Sequence, residues 1–154
     1  MFQKLKEALM GVNEEASSAQ HVTDPVKLAC AALLARAAWL DGLLDAKEEK
    51  ALISLMVERF SLDEIEAKNI VSEATVDVNN SNDIYKYTKI VRDAFDEPER
   101  IALMEMLWQL VYSDGELHDF EATLMRRLAG LLFVDDRQSG AARKRAIEKL
   151  KEAN

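Results

Sequence analysis

Two segments of this chain follow one pattern. Asp41-Gly42-Leu43-Leu44-Asp45-Ala46-Lys47-Glu48 and Asp114-Gly115-Glu116-Leu117-His118-Asp119-Phe120-Glu121 both read Asp-Gly-x-Leu-x-x-x-Glu, at a spacing of 73 residues. At that spacing Leu34 falls on Leu107, Leu55 on Leu128 and Phe60 on Phe133, with Leu28 on Ile101 and Leu52 on Met125 as conservative matches. Each segment follows an almost wholly apolar stretch and opens an amphipathic one, so the repeated unit is a helix–loop–helix. Nothing alternates with period two over a useful length. The expected fold is all-α, a single-domain bundle of seven to eight helices built around the duplicated unit.

The helices can be placed in order. Residues 1–10 carry Phe2, Leu5 and Leu9 on one helical face, and Gly11 to Thr23 is polar and small, so residues 1–24 read as an amphipathic helix and linker. A helix that short is marginal alone and must dock, either on its own domain or as a peripheral contact with a membrane or partner. The main domain, 25–154, opens with Asp24-Pro25 as N-cap and first-turn proline. From Val26 to Leu40 only Lys27 and Arg36 are polar, and Glu99 to Tyr112 is interrupted only by Arg100, Glu105 and Gln109. Helices apolar nearly all round are buried on most sides. Arg36 and Glu105 are expected to pair between them, because a buried charge left alone is costly. Asp45 with Glu48 reads as a capping box, and Ser61 with Glu64 as another. The helix after Ser61 should turn Ile65, Ile70 and Val71 inward, and Asp83 to Phe95 should bury Ile84, Tyr87, Ile90, Val91 and Phe95. Further helices are expected over Asp119–Leu132 and Asp136–Glu152.

Charge and composition narrow the function. With 20 Lys+Arg against 28 Asp+Glu the net charge is −8, which repels phosphate backbones and argues against nucleic acid. From Arg137 onward six basic residues (137, 143, 144, 145, 149 and 151) face only Glu148 and Glu152, so this tail carries +4 and residues 1–136 carry −12. A bipolar surface suits charged protein partners or self-association without fixing an oligomeric state. Cys30 stands alone in an apolar run, which leaves no intrachain disulfide and no cysteine-based zinc site. Residues 1–20 lack the apolar core and cleavage site of a secretory signal, and the apolar run Leu28–Ala35 is too short to span a bilayer, so the expected location is cytoplasmic. No nucleophile, phosphate loop or complete metal set marks an enzyme.

The Asp-Gly loops admit two readings. Setting Asp41 at position 5 of an EF-hand puts Gly42, Leu44 and Glu48 at positions 6, 8 and 12, and Asp114, Gly115, Leu117 and Glu121 fit alike. Positions 1 and 3 would then be Ala37 and Trp39, or Leu110 and Tyr112, none with a side-chain carboxyl or amide, so neither loop is a working EF-hand. On the structural reading, glycine ends one helix, leucine anchors the turn, and Glu48 or Glu121 completes the next N-terminus. That leaves Asp41 and Asp114, carboxylates facing the negative end of a helix dipole, in need of hydrogen bonds or a cation. On the cation reading the candidate ligands are Asp41, Asp45, Glu48, Asp114 and Glu121. Such hard oxygens favour calcium, magnesium or manganese.

The same residues resemble the TerB-like, tellurite-resistance-associated family of helical domains, found also at the N-terminus of the membrane-anchored DjlA co-chaperone. The likeness covers about residues 25–150. It rests on Ala38-Trp39-Leu40-Asp41-Gly42, on Glu105-Met106-Leu107-Trp108 leading into Tyr112-Ser113-Asp114-Gly115-Glu116-Leu117, and on Glu121 with Arg126-Arg127. This chain is most similar to a stand-alone branch of the family. The resemblance implies a seven- to eight-helix, non-enzymatic domain with an acidic surface that can hold a divalent cation, in which Asp41, Glu48, Asp114 and Glu121 match the acidic positions. His118 departs from the acidic or small residue usual there. Tellurite itself is an anion that clustered carboxylates would repel. The expected role is a binding module in a stress-response or membrane-associated complex, the alternative a co-chaperone-like adaptor whose loops are structural.

Overall fold

The computed structural model describes residues 24–38, 46–80, 83–113 and 119–153, and the described residues form seven α-helices and no strand. In chain order these are α1 (Pro25–Ala38), α2 (Ala46–Phe60), α3 (Glu64–Asn80), α4 (Ile84–Ala94), α5 (Glu97–Val111), α6 (Asp119–Leu131) and α7 (Asp136–Ala153). The all-α expectation holds. The helix and linker expected before Asp24 lie outside the described residues.

The two apolar helices start where local chemistry tells them to. The Asp24 carboxylate accepts from the backbone N–H of Val26 at 2.9 Å and of Lys27 at 3.2 Å, with Pro25 next in line. At α5, Asp96 accepts from Glu99 N–H at 3.0 Å while the Glu99 side chain accepts from Asp96 N–H at 2.9 Å, a full capping box. Both helices then run through the core. α1 buries Ala29 to Ala35 and Ala37, α5 buries Ala102 to Trp108, and the two pack on each other. Cys30 is fully buried among them, and burial raises its thiol far above the usual range. Arg100 ties two helix ends to the start of α5: its Nε donates to the Leu132 carbonyl and its Nη1 to the Phe95 carbonyl, each at 2.9 Å.

The duplication is deeper than the loops. α1 and α5 end at Ala38 and Val111, and α2 and α6 begin at Ala46 and Asp119, both pairs at the spacing of 73. A third helix follows in each half. Asp63 caps α3 on the Glu66 N–H at 2.7 Å, and Asp135 caps α7 on the Gln138 N–H at 2.8 Å. α3 packs on α1 as α7 packs on α5. The unit is therefore three helices, repeated, with α4 bridging the halves. Glu66 also locates the start of α1. Its carboxyl is pushed up first by the hydrogen bond with Asp63 and then by burial, and is partly drawn back by the Lys27 charge, which sets the first turns of α1 and α3 side by side.

The register slips by one residue inside the second copy. Ser61 (φ 52°) and Phe133 (φ 58°) are the left-handed residues that end α2 and α6, and they stand 72 apart. After each, the chain folds back in a Schellman-type turn, with Leu62 N–H on the Val57 carbonyl at 3.3 Å and Val134 N–H on the Ala129 carbonyl at 2.8 Å. Three expectations change as a result. Phe60 and Phe133 are not equivalent: Phe60 is buried and Phe133 is 65% exposed, because α6 leaves the helix one residue sooner. Ser61 ends α2 rather than capping α3, a role that falls to Asp63. Ile65, expected inward, is 72% exposed, because α3 starts at Glu64 and its buried face runs through Ala67, Ile70 and Val71, the last two as expected.

Two stability measurements test this architecture by urea unfolding. Leu107, fully buried in α5, should cost about 2–5 kcal/mol when changed to alanine. Ser61→Gly should instead raise stability, by about 0.5–1 kcal/mol, since glycine occupies a left-handed position without the Cβ clash.

Candidate functional site

The two Asp-Gly segments join equivalent helix ends. Seven residues separate Ala38 from Ala46, and seven separate Val111 from Asp119. Glu48 and Glu121 are each the third residue of the helix that follows. A carboxylate in a first turn faces unpaired N–H groups and the positive end of the dipole, which stabilises it there. Glu48 is half-buried. Asp41, Asp45, Asp114 and His118 lie outside the described residues, as does the side chain of Glu121. Among the described residues no group of three or more His, Cys, Asp or Glu is placed to hold a metal ion.

A different carboxylate is the electrostatic centre of the described structure. Glu105, 5% exposed in mid-α5, accepts from Arg59 Nη2 of α2 at 2.6 Å, and from Arg145 Nε at 2.6 Å and Lys149 Nζ at 2.5 Å, both of α7. Arg59 Nη2 also donates to Gln109 Oε1 at 2.8 Å. Burial by itself would push the Glu105 carboxyl up, but the hydrogen bonds from Lys149, Arg145 and Arg59 and the Lys149 charge outweigh it, bringing it from 4.5 down to about 2. The cations on Glu105 are thus Arg59, Arg145 and Lys149 rather than the expected Arg36. Arg36 sits in the last turn of α1, whereas the Glu105 face of α5 is covered by α7. Part of the basic C-terminal tail therefore serves as a clamp that holds α7 on α5.

Next to this clamp the repeat leaves two unequal grooves. Between α2 and α3 a groove of about 680 Å³ is floored by Ile53 and Val57 and edged by Glu49, Lys50, Glu64 and Lys68. Its counterpart between α6 and α7 is reduced to about 200 Å³. There Trp108 rises from α5, its Nε1–H donates to Ser139 Oγ at 3.2 Å, and its ring stacks on Tyr112 with centroids 5.9 Å apart. The Arg143 guanidinium lies 5.4 Å from the Trp108 ring centre, and its Nε donates to the Tyr112 hydroxyl at 2.6 Å. At the repeat spacing the residue corresponding to Trp108 is Ala35. Sequence reasoning found neither the clamp nor these grooves. The excess of cations after Arg137 was the only trace of the former, and the Ala35–Trp108 mismatch the only trace of the latter.

The clamp has a pH signature. A carboxyl depressed from 4.5 to about 2 stabilises the fold fully above pH 4.5 and loses that contribution as pH falls through 2. Acid titration of the unfolding free energy should therefore show a loss of about 3 kcal/mol over this window. Glu105→Gln should lack that component and unfold more readily at pH 7.

No curated protein and no solved structure matches the chain. A family does: tellurite resistance protein TerB matches residues 27–144, from the first turn of α1 to the middle of α7. This span holds Glu105 and Arg59, while Arg145 and Lys149 lie just beyond it. The chain belongs to the TerB family.

Proposed function

We propose that this chain is a non-enzymatic, cytoplasmic binding module whose paired Asp-Gly loops form one acidic site. Asp41, Asp45, Glu48, Asp114 and Glu121 are its ligands for a divalent cation, calcium, magnesium or manganese, and the loaded site engages a protein partner in a stress-response or membrane-associated complex. One observation carries the reading. Both copies of the duplication keep the same seven-residue loop length and the same glutamate at the third helical position, although the surrounding register is free to slip, as it does at Phe133. A helix connection needs neither the glutamate nor the preceding aspartate to be repeated, whereas a paired oxygen-ligand site needs both. Family membership supports the module, since the loops fall within the matched residues.

A second reading has its own support. The third helical position is where a glutamate completes a capping box, so the loops would also suit a co-chaperone-like adaptor in which they are purely structural. Among the described residues no helix is long and apolar enough to cross a membrane, so on either reading the described helices would meet a membrane from its surface.

Calorimetric titration separates the two. Chelator-treated protein is titrated with calcium, magnesium and manganese beside an Asp41→Asn/Asp114→Asn variant. Saturable binding that weakens at least tenfold in the variant is the expected result. A folded wild type that takes up none of the three, with a variant that is only less stable, would leave the adaptor reading standing.

A further inference from the structure

The smaller groove, between α6 and α7, differs from its counterpart in charge as well as in size. At the repeat spacing of 73, Ala122 and Arg126 of α6 stand where α2 has Glu49 and Ile53. The capping residues Asp63 and Asp135 of the third helices are 72 apart, so Asp136, Gly140 and Arg143 of α7 stand where α3 has Glu64, Lys68 and Val71. At these positions Glu49, Glu64 and Lys68 leave the first groove one negative charge, whereas Arg126, Arg143 and Asp136 leave the second one positive charge.

The donors of the second groove are only partly used. Arg126 makes no hydrogen bond or ion pair among the described residues. Arg143 spends its Nε on the Tyr112 hydroxyl, which leaves both Nη groups without an acceptor there. Ser139 is buried, and its Oγ accepts from the Trp108 indole while its own hydrogen goes to no acceptor among the described residues. Asp136 forms an ion pair with neither arginine. A guanidinium presents parallel N–H groups that match the two oxygens of a carboxylate. Trp108 supplies a flat apolar wall beside them. Small residues keep the space open: Ala122 and Ala129 line it, and a Cβ on Gly140 would meet nothing within 4 Å. At about 200 Å³ the space is below the roughly 300–1,000 Å³ of sites for drug-sized ligands, so it suits a small molecule with one charged end.

We propose that the α6–α7 groove binds a small organic monocarboxylate. Arg126 and Arg143 hold the carboxylate, Ser139 donates to it, and its carbon skeleton lies against the Trp108 indole. The single charge follows from Asp136, which would repel a second one. The inference does not depend on whether the Asp-Gly loops bind a cation.

The test is an NMR titration of the full chain with benzoate, propionate and inorganic phosphate at neutral pH and fixed ionic strength. Either carboxylate should shift the Trp108 indole N–H and Arg143 Nε–H signals saturably, with benzoate at least tenfold tighter than phosphate. Arg126→Gln should weaken benzoate at least tenfold. Gly140→Leu, which fills the space with a better helix former, should abolish binding while the remaining signals stay in place. Asp136→Asn should narrow the gap between benzoate and phosphate. A saturable shift with neither carboxylate would overturn the proposal, as would benzoate binding that survives Arg126→Gln or Gly140→Leu unchanged. Phosphate binding as tightly as benzoate would overturn it by making any anion the ligand. A capped tripeptide with one glutamate binding more tightly than both free acids would overturn it too, by making a protein side chain the occupant.

Discussion

The burial of α1 against α5 is the constraint on which the rest of this molecule depends. Each helix is apolar around most of its circumference, so neither can sit at a surface, and each needs neighbours on several sides. The amphipathic helices supply them: α2, α3 and α4 cover α1, while α6 and α7 cover α5. Loop closure adds little to the cost because each apolar helix is covered first by the helices that follow it in sequence. Duplication of a three-helix unit answers this demand economically, since the third helix of each copy covers its own apolar helix and the two apolar helices also pack on each other.

Equivalent helices have nevertheless acquired different work. In the second copy α5 carries Glu105 and Trp108, where α1 has Ala32 and Ala35. Glu105 draws Arg59 across from the first copy and Arg145 and Lys149 from α7, so one carboxylate joins three helices. Its depressed pKa shows that the pairing more than offsets the desolvation of a nearly buried charge. Trp108 narrows the second groove, whereas the first, with Ala35 at that position, is the wider of the two among the described residues. The two halves share a backbone plan and differ in the side chains they carry at equivalent positions.

The charge distribution takes on a more specific meaning in this light. The basic tail is not simply a solvated face. Arg145 and Lys149 are engaged with Glu105 and Arg143 lies over two aromatic rings, so half of the six cations hold α7 in place. Arg92 over exposed Phe133 and Arg127 over Tyr85 extend the same device along α4 and α6.

The amino-acid sequence alone determined the helix count among the described residues, the cap at Asp24, the two buried helices and the repeat that relates them. These are local matters: apolar periodicity, a capping side chain and a proline act within four or five residues. Tertiary structure alone decided that Glu105 binds Arg59, Arg145 and Lys149, partners 40 to 46 residues away. It also decided that Phe133 faces solvent while Phe60 does not, that Ile65 stays outside, and that of two equivalent grooves among the described residues one is the larger. The periodicity of a helix says which of its faces is apolar. Which neighbour meets a given polar residue depends on how ridges from distant segments settle against it, and a one-residue difference in where α6 ends was enough to turn a phenylalanine from the core to the surface.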